Sequence, residues 1–221
     1  MNSVIITKTF QEMPYCEREI LRYAQCRDEN TETVALMHDC IKEARTAISY
    51  RVCYRELQLE VRGDVCDFGY FTLKSAGLSK NLSGCEKVIL MAANLGTGLD
   101  RLISKYGHLL PSRALMLSAI GSERIEALCD VFCREAAKQT GMHLRPRFSP
   151  GYGDLSLSAQ MEIFAVLDCE KHIGLYLNES LMMSPSKSVT AFAGLSDKPY
   201  AENKNKCSLC NKKDCVYRGT L

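Results

Sequence analysis

No stretch of the chain is apolar over the ~20 residues that a membrane-spanning helix requires, so no span is expected. Charge of either sign is nearly balanced. The 28 basic and 26 acidic residues leave a formal +2, which argues against a nucleic-acid partner. The start, Met1-Asn2-Ser3-Val4-Ile5-Ile6-Thr7-Lys8, has no basic stretch followed by an apolar one. Secretion is therefore not expected, and the chain reads as cytoplasmic. There is no internal repeat and no low-complexity tract. No nucleophile triad or paired-carboxylate dyad stands out.

What is present is enough for a substantial core, since 46% of the 221 residues are hydrophobic. The twelve cysteines are numerous for a chain without an export signal. Cys16, Cys26, Cys40, Cys53, Cys129 and Cys133 sit singly in amphipathic segments and read as small buried hydrophobes. A reducing compartment fits them better than a disulfide framework.

Periodicity predicts alternating helices and strands. Pro14 is expected in the first turn of a short helix through Ile20, Leu21 and Ala24. A second helix is expected over about Thr33–Ile48. Leu57, Leu59 and Val61 alternate with polar residues as in a half-buried strand, and Phe68–Leu73 is read as more sheet. Leu78–Leu82 reads as a short helix ending at Gly84. Val88–Ala93 is a continuous apolar run suited to a central strand.

The segment Asn94-Leu95-Gly96-Thr97-Gly98 then opens a helix carrying Leu99, Leu102 and Ile103. A strand, a Gly-x-Gly turn and a helix raise a dinucleotide-fold reading. Arg101 stands where that fingerprint needs its third glycine, so a tight strand-to-helix turn is the alternative. Pro111 starts a long helix that Gly141 ends near Thr140, with Leu115, Ile120, Ile125, Leu128 and Phe132 expected toward the core. A helix over Ser158–Leu167 and strands over Ile173–Leu177 and Ser188–Phe192 complete the pattern. Residues 1–197 are read as one domain and 198–221 as a polar, lysine-rich tail.

The segment Arg147-Phe148-Ser149-Pro150-Gly151-Tyr152-Gly153 carries the most chemistry. A guanidinium can grip a carboxylate through two parallel hydrogen bonds. Gly151 lets a ligand approach the backbone, Pro150 stiffens the turn, and Tyr152 offers a flat face with a polar tip. An amino-acid nucleoside, with a carboxylate at one end and an aromatic base at the other, suits such a loop. The plainer alternative is a surface turn with a solvated arginine.

Further pieces follow in order: Gly174-Leu175, Leu177-Asn178-Glu179-Ser180 and Met183-Ser184-Pro185-Ser186-Lys187-Ser188-Val189. The run from 147 to about 195 resembles the activation (reactivation) domain of cobalamin-dependent methionine synthase. That family shows an Arg-x-x-Pro-Gly-Tyr loop, a helix, a Gly-x-x-Leu-Thr-Glu-Ser segment and a Met-x-Pro-x-x-Ser-Val segment. Val88–Ile103 and Ala114–Ala136 bear a fainter likeness to stand-alone relatives.

The resemblance implies an α+β fold: a curved single domain with a twisted, mainly antiparallel mixed sheet flanked by helices. It implies S-adenosylmethionine as ligand, with Arg147 on the methionine carboxylate. Ser149, Pro150 and Gly151 would lie on the adenine side, with Tyr152 in the same pocket. Asp130, on the preceding long helix, aligns with a carboxylate that serves the cationic groups, a solvated helix residue being the alternative. Glu179 lies in a matched segment without an assigned face. The implied function is support of the reductive methylation of cob(II)alamin, where the protein positions the methyl donor.

The chain lacks Asp-x-His-x-x-Gly, by which the family's cobalamin module ligates cobalt, and His38, His108, His143 and His172 sit in no such pattern. Cobalamin would then come from a separate methionine synthase lacking this domain, with flavodoxin or ferredoxin as electron donor.

The tail departs from the family pattern. Cys207, Cys210 and Cys215 form Cys-x2-Cys-x4-Cys, which suits zinc or an iron–sulfur cluster with a fourth ligand such as Cys169. Redox-active thiols and an unmetallated tail remain open readings, and Tyr217 is a candidate for the family's last pocket tyrosine. Two other function classes stay in play: a metal- or cluster-binding redox subunit, and an interaction subunit of a corrinoid system that binds no nucleoside.

Overall fold

Alternating apolar residues build the centre of this molecule. The computed structural model describes residues 4–26 and 30–199. The chain begins with strand β1 (Ile6–Phe10) and helices α1 (Glu17–Tyr23) and α2 (Thr31–Ala47). Strands β2 (Tyr50–Gln58), β3 (Glu60–Arg62), β4 (Val65–Asp67) and β5 (Thr72–Lys74) lead to α3 (Ala76–Leu82) and β6 (Lys87–Asn94). Next come α4 (Gly98–Tyr106), α5 (Pro111–Thr140), β7 (His143–Leu144), α6 (Ala159–Leu167) and α7 (Cys169–Ile173). The hairpin β8 (Tyr176–Leu177) and β9 (Met183–Ser184) precedes β10 (Ser188–Ser196).

The α+β expectation holds. Five strands form one curled sheet in the order β1-β2-β6-β10-β7, and every neighbouring pair is antiparallel. Period-2 alternation sends Ile89, Met91 and Ala93 of β6 to one face and Val88, Leu90 and Ala92 to the other. Both faces are covered. Helices α1, α2, α4 and α5 pack on the first. Helices α3, α6 and α7, with the small sheet β3-β4-β5, pack on the second. This double covering is why β6 reads as an unbroken apolar run.

The long helix is bounded as predicted, by Pro111 at its start and by Gly141 in the left-handed conformation at its end. Ile120, Ile125, Leu128 and Phe132 are buried on the sheet. Leu115 is a correction: it is 55% exposed, because it lies off the stripe formed by Leu117, Ile120 and Leu128. Gly121 is required by packing. A Cβ there would meet Leu99 Cδ2 at 2.5 Å and Lys187 Cγ at 2.8 Å.

The Gly-x-Gly turn is structural. Gly96 has φ of +72°, and a Cβ on Gly98 would stand 2.2 Å from the Ala47 carbonyl oxygen. The two glycines let β6 turn into α4 against the end of α2. β6 is flanked by antiparallel strands, which is not the parallel arrangement of a dinucleotide fold.

Other boundaries shift. Pro14 precedes α1 rather than sitting in its first turn. The strand expected over 57–61 divides between the end of β2 and β3, and residues 68–73 run from the turn after β4 into β5, in a separate sheet. The strand expected over 173–177 is the end of α7 followed by the short β8, since Gly174 with positive φ closes a helical turn there. The last strand runs on to Ser196. Among the cysteines read as buried, Cys40, Cys53 and Cys129 are so, Cys26 and Cys133 are half-buried, and Cys16 is exposed.

One charged pair lies in the interior. Arg124 of α5 is fully buried and donates to both carboxylate oxygens of Glu123. It also donates to the carbonyls of Met13 at 2.6 Å and Pro14 at 2.8 Å, and lies 4.0 Å from the Tyr15 ring centre. Glu123 in turn accepts from the Cys16 amide at 3.2 Å. The pair fastens the segment before α1 to the long helix.

Candidate functional site

The loop after β7 is held from three sides. Phe148 exchanges two backbone hydrogen bonds of 2.9 Å with Phe192 of β10. Ser149-Pro150-Gly151-Tyr152 then form a turn closed by the Tyr152 amide donating to the Ser149 carbonyl at 3.1 Å. Proline in second place and a glycine with φ of +85° in third are the residues that a type II turn demands. Asp154 clamps the loop to α3, accepting from Ser75 Oγ at 2.6 Å and from the amides of Ala76 and Gly77 at 2.7 and 3.0 Å. The Ser75 hydroxyl first, then those amides, holds the Asp154 carboxyl below its ordinary range. Gly77 is the matching residue on α3, since a Cβ there would press on Asp154 Oδ1 at 2.9 Å and Phe148 at 3.1 Å.

This scaffold sets Arg147 against α5. Its Nη1 donates to Asp130 Oδ1 at 2.6 Å and its Nη2 to Glu126 Oε2 at 2.7 Å. The Arg147 side chain is 20% exposed, and the Glu126 and Asp130 side chains are 45% and 55% exposed. Glu126 and Asp130 are one helical turn apart, so both reach the same cation. Nη1 also lies 3.8 Å from Cys133 Sγ. Burial pushes the Cys133 thiol up, and the Arg147 charge draws it partly back.

A hollow of about 340 Å³ opens here, lined by Glu126, Asp130, Pro146, Arg147, Ser149, Tyr152 and Val189. The structure therefore brings Arg147, Asp130, Ser149 and Tyr152 together. Pro150 is buried and, like Gly151, shapes the turn without lining the hollow. The Gly151 amide donates to the Leu155 carbonyl at 2.9 Å, so it and the Tyr152 amide are already engaged within the loop. The Tyr152 ring stands edge-on to Phe148 at 6.3 Å and is 58% exposed. It flanks the hollow as a flat apolar wall.

Glu179 is exposed in the β8–β9 turn and does not line the hollow. Glu126 does, and sequence reasoning missed it. The only signal was its four-residue spacing from Asp130, which any solvated helix face also shows. Among the described residues, no group of three or more His, Cys, Asp and Glu side chains could hold a metal ion. Cys207, Cys210 and Cys215 lie outside the described residues.

No protein-family model matches the chain, and no curated protein matches it. Among solved structures it is similar to the crystal structure of the MetH reactivation domain bound to AdoHcy. The TM-score is 0.66 at 14% identity, over 89% of this chain and 80% of that one. The chain has the fold of that reactivation domain.

Within this fold the hollow has a definite chemical character. It pairs two carboxylates with one guanidinium, a net negative charge on a partly dry wall, beside an aromatic face. Such a set can hold a zwitterion that carries one extra positive charge. No helix among the described residues is long and apolar enough to cross a membrane.

Proposed function

We propose that this protein binds S-adenosylmethionine between α5 and the 147–152 loop and presents it to a separate cobalamin-dependent methionine synthase for reductive methylation of cob(II)alamin. The observation that carries the reading is Arg147 shared by Glu126 and Asp130 at the mouth of the hollow, within a reactivation-domain fold. S-adenosylmethionine carries a sulfonium, an ammonium and a carboxylate, so its net charge is opposite to that of the three side chains.

The residues present fit that molecule. The ligand carboxylate takes the guanidinium fork, with charge-assisted hydrogen bonds on Arg147. Displaced from the fork, Asp130 and Glu126 face the ammonium and sulfonium. Ser149 and the Tyr152 ring flank the adenosyl end. The hollow falls within the ~300–1,000 Å³ typical of small-molecule sites.

S-adenosylmethionine supplies the methyl group when bound. This chain's own part is to orient the nucleoside and to neutralise its ends. The cobalamin belongs to the partner, the electron to a donor such as flavodoxin or ferredoxin, and the setting is the cytoplasm. At Cys207, Cys210 and Cys215 an iron–sulfur cluster would add a redox element and a zinc ion a structural one, which metal analysis of anaerobically purified protein tests separately.

Calorimetry with S-adenosylmethionine tests the binding. Wild-type protein gives saturable heat, and Arg147→Ala weakens affinity by roughly 10- to 100-fold, the worth of a charge-assisted hydrogen bond. Absence of binding to wild type removes the reading.

A further inference from the structure

Lys187 is a half-buried cation without a carboxylate. It stands just before β10, and its carbonyl accepts from the Leu95 amide at 3.2 Å, which continues the ladder between β6 and β10. Its stem lies over Gly121 of α5, close enough that a Cβ there would meet Lys187 Cε at 3.1 Å. The ammonium donates to Ser118 Oγ and Ser122 Oγ, both at 3.0 Å. Among the described residues these two hydroxyls are the only polar partners of its side chain. Asp100 attracts it from a distance but is already engaged, accepting from the Ser186 amide at 2.8 Å and from Ser186 Oγ at 2.5 Å. Burial holds the Lys187 ammonium below its ordinary range, and Asp100 offsets this only in part.

This ammonium lies beside the candidate site. Ser118, Ser122, Glu126 and Asp130 follow one another along α5 at steps of four, so each is the neighbour of the next. Ser122, which holds Lys187, is one turn before Glu126, which holds Arg147. On the strand side, Lys187 and Val189 are two residues apart and share a face, and Val189 lines the hollow together with Glu126. Glu126 therefore has a cation on each side along the helix, and in the free protein it pairs with Arg147.

We propose that Lys187 is a positioning residue of the nucleoside site, taking one carboxylate oxygen of Glu126 when a ligand carboxylate displaces Glu126 from Arg147. The inference rests on the S-adenosylmethionine reading. Displacement alone would leave Glu126 free to turn toward water. With Lys187 on one oxygen, the other stays aimed at the cationic end of the ligand. The free protein carries an uncompensated, half-buried cation, and binding gives that cation a partner. Lys187 thus works against the stability of the free protein and in favour of the complex.

Lys187→Met keeps an apolar stem over Gly121 and removes the charge. Urea unfolding of the full chain without ligand should place the midpoint of this variant at or above that of wild type. Calorimetry on the same protein should show S-adenosylmethionine bound roughly three- to ten-fold more weakly. In a Glu126→Gln background the same substitution should change affinity by less than about two-fold, since a neutral amide offers the ammonium no opposite charge. A merely structural lysine would lower the urea midpoint, so a lower midpoint overturns the inference. It is equally overturned if Lys187→Met binds as wild type does, or loses the full amount in the Glu126→Gln background. Failure of wild type to bind S-adenosylmethionine is a different result, which removes the nucleoside reading and this inference with it.

Discussion

Helix α5 carries two arginine–carboxylate clusters of similar chemistry and opposite use. At Arg124 the guanidinium is fully buried, faces one carboxylate and two carbonyls, and is stacked near Tyr15. At Arg147 it meets two carboxylates that are about half exposed, at the rim of the hollow. The first cluster presents nothing to solvent and joins two parts of the chain. The second has partners that water already solvates, so they can be exchanged for a ligand at little cost. Burial, more than residue type, separates a fastening from a binding site.

The largest effect that would test this contrast is on stability. Arg124→Ala should cost about 3–5 kcal/mol in urea unfolding, because it strands a buried carboxylate and two carbonyls. Arg147→Ala should cost less than about 1 kcal/mol in the same measurement, since its partners stay hydrated. Equal losses would break the distinction.

Salt sharpens it further. The small contribution of Arg147 to stability should shrink as ionic strength rises from about 0.05 to 0.5 M, whereas that of Arg124 should hardly change. The smallest effect lies in the thiols. Arg147 draws the Cys133 thiol down against the upward push of burial. Arg147→Met should therefore raise that thiol and slow its alkylation at pH 8 by roughly two- to three-fold, read site by site by mass spectrometry. The sign follows from the charge: removing a nearby cation disfavours the thiolate. An unchanged Cys133 rate would place the guanidinium farther from the thiol than 3.8 Å implies.

Much of the frame was legible in residue order. Pro111 and Gly141 mark the ends of α5, and Val88–Ala93 marks a doubly covered strand, because local conformational preference and burial act in the same direction there. The turn at Pro150-Gly151 was legible for the same reason. The short α7 and the three-stranded side sheet were not, since elements of three to five residues carry too little periodicity. Leu115 misled because an apolar residue at a helix start does not reveal on which side of the stripe it lies.

The sequence by itself determined the long helix, the tight glycine turn and the loop that holds Arg147. All of these follow from backbone restriction and hydrophobic spacing, which act over a few residues. Only the tertiary structure decided that Glu123 and Arg124 are interior while Glu126 and Asp130 meet Arg147 at a rim. These charged residues look alike along the chain. Their roles depend on desolvation, which is set by what packs across from them and not by their neighbours in sequence.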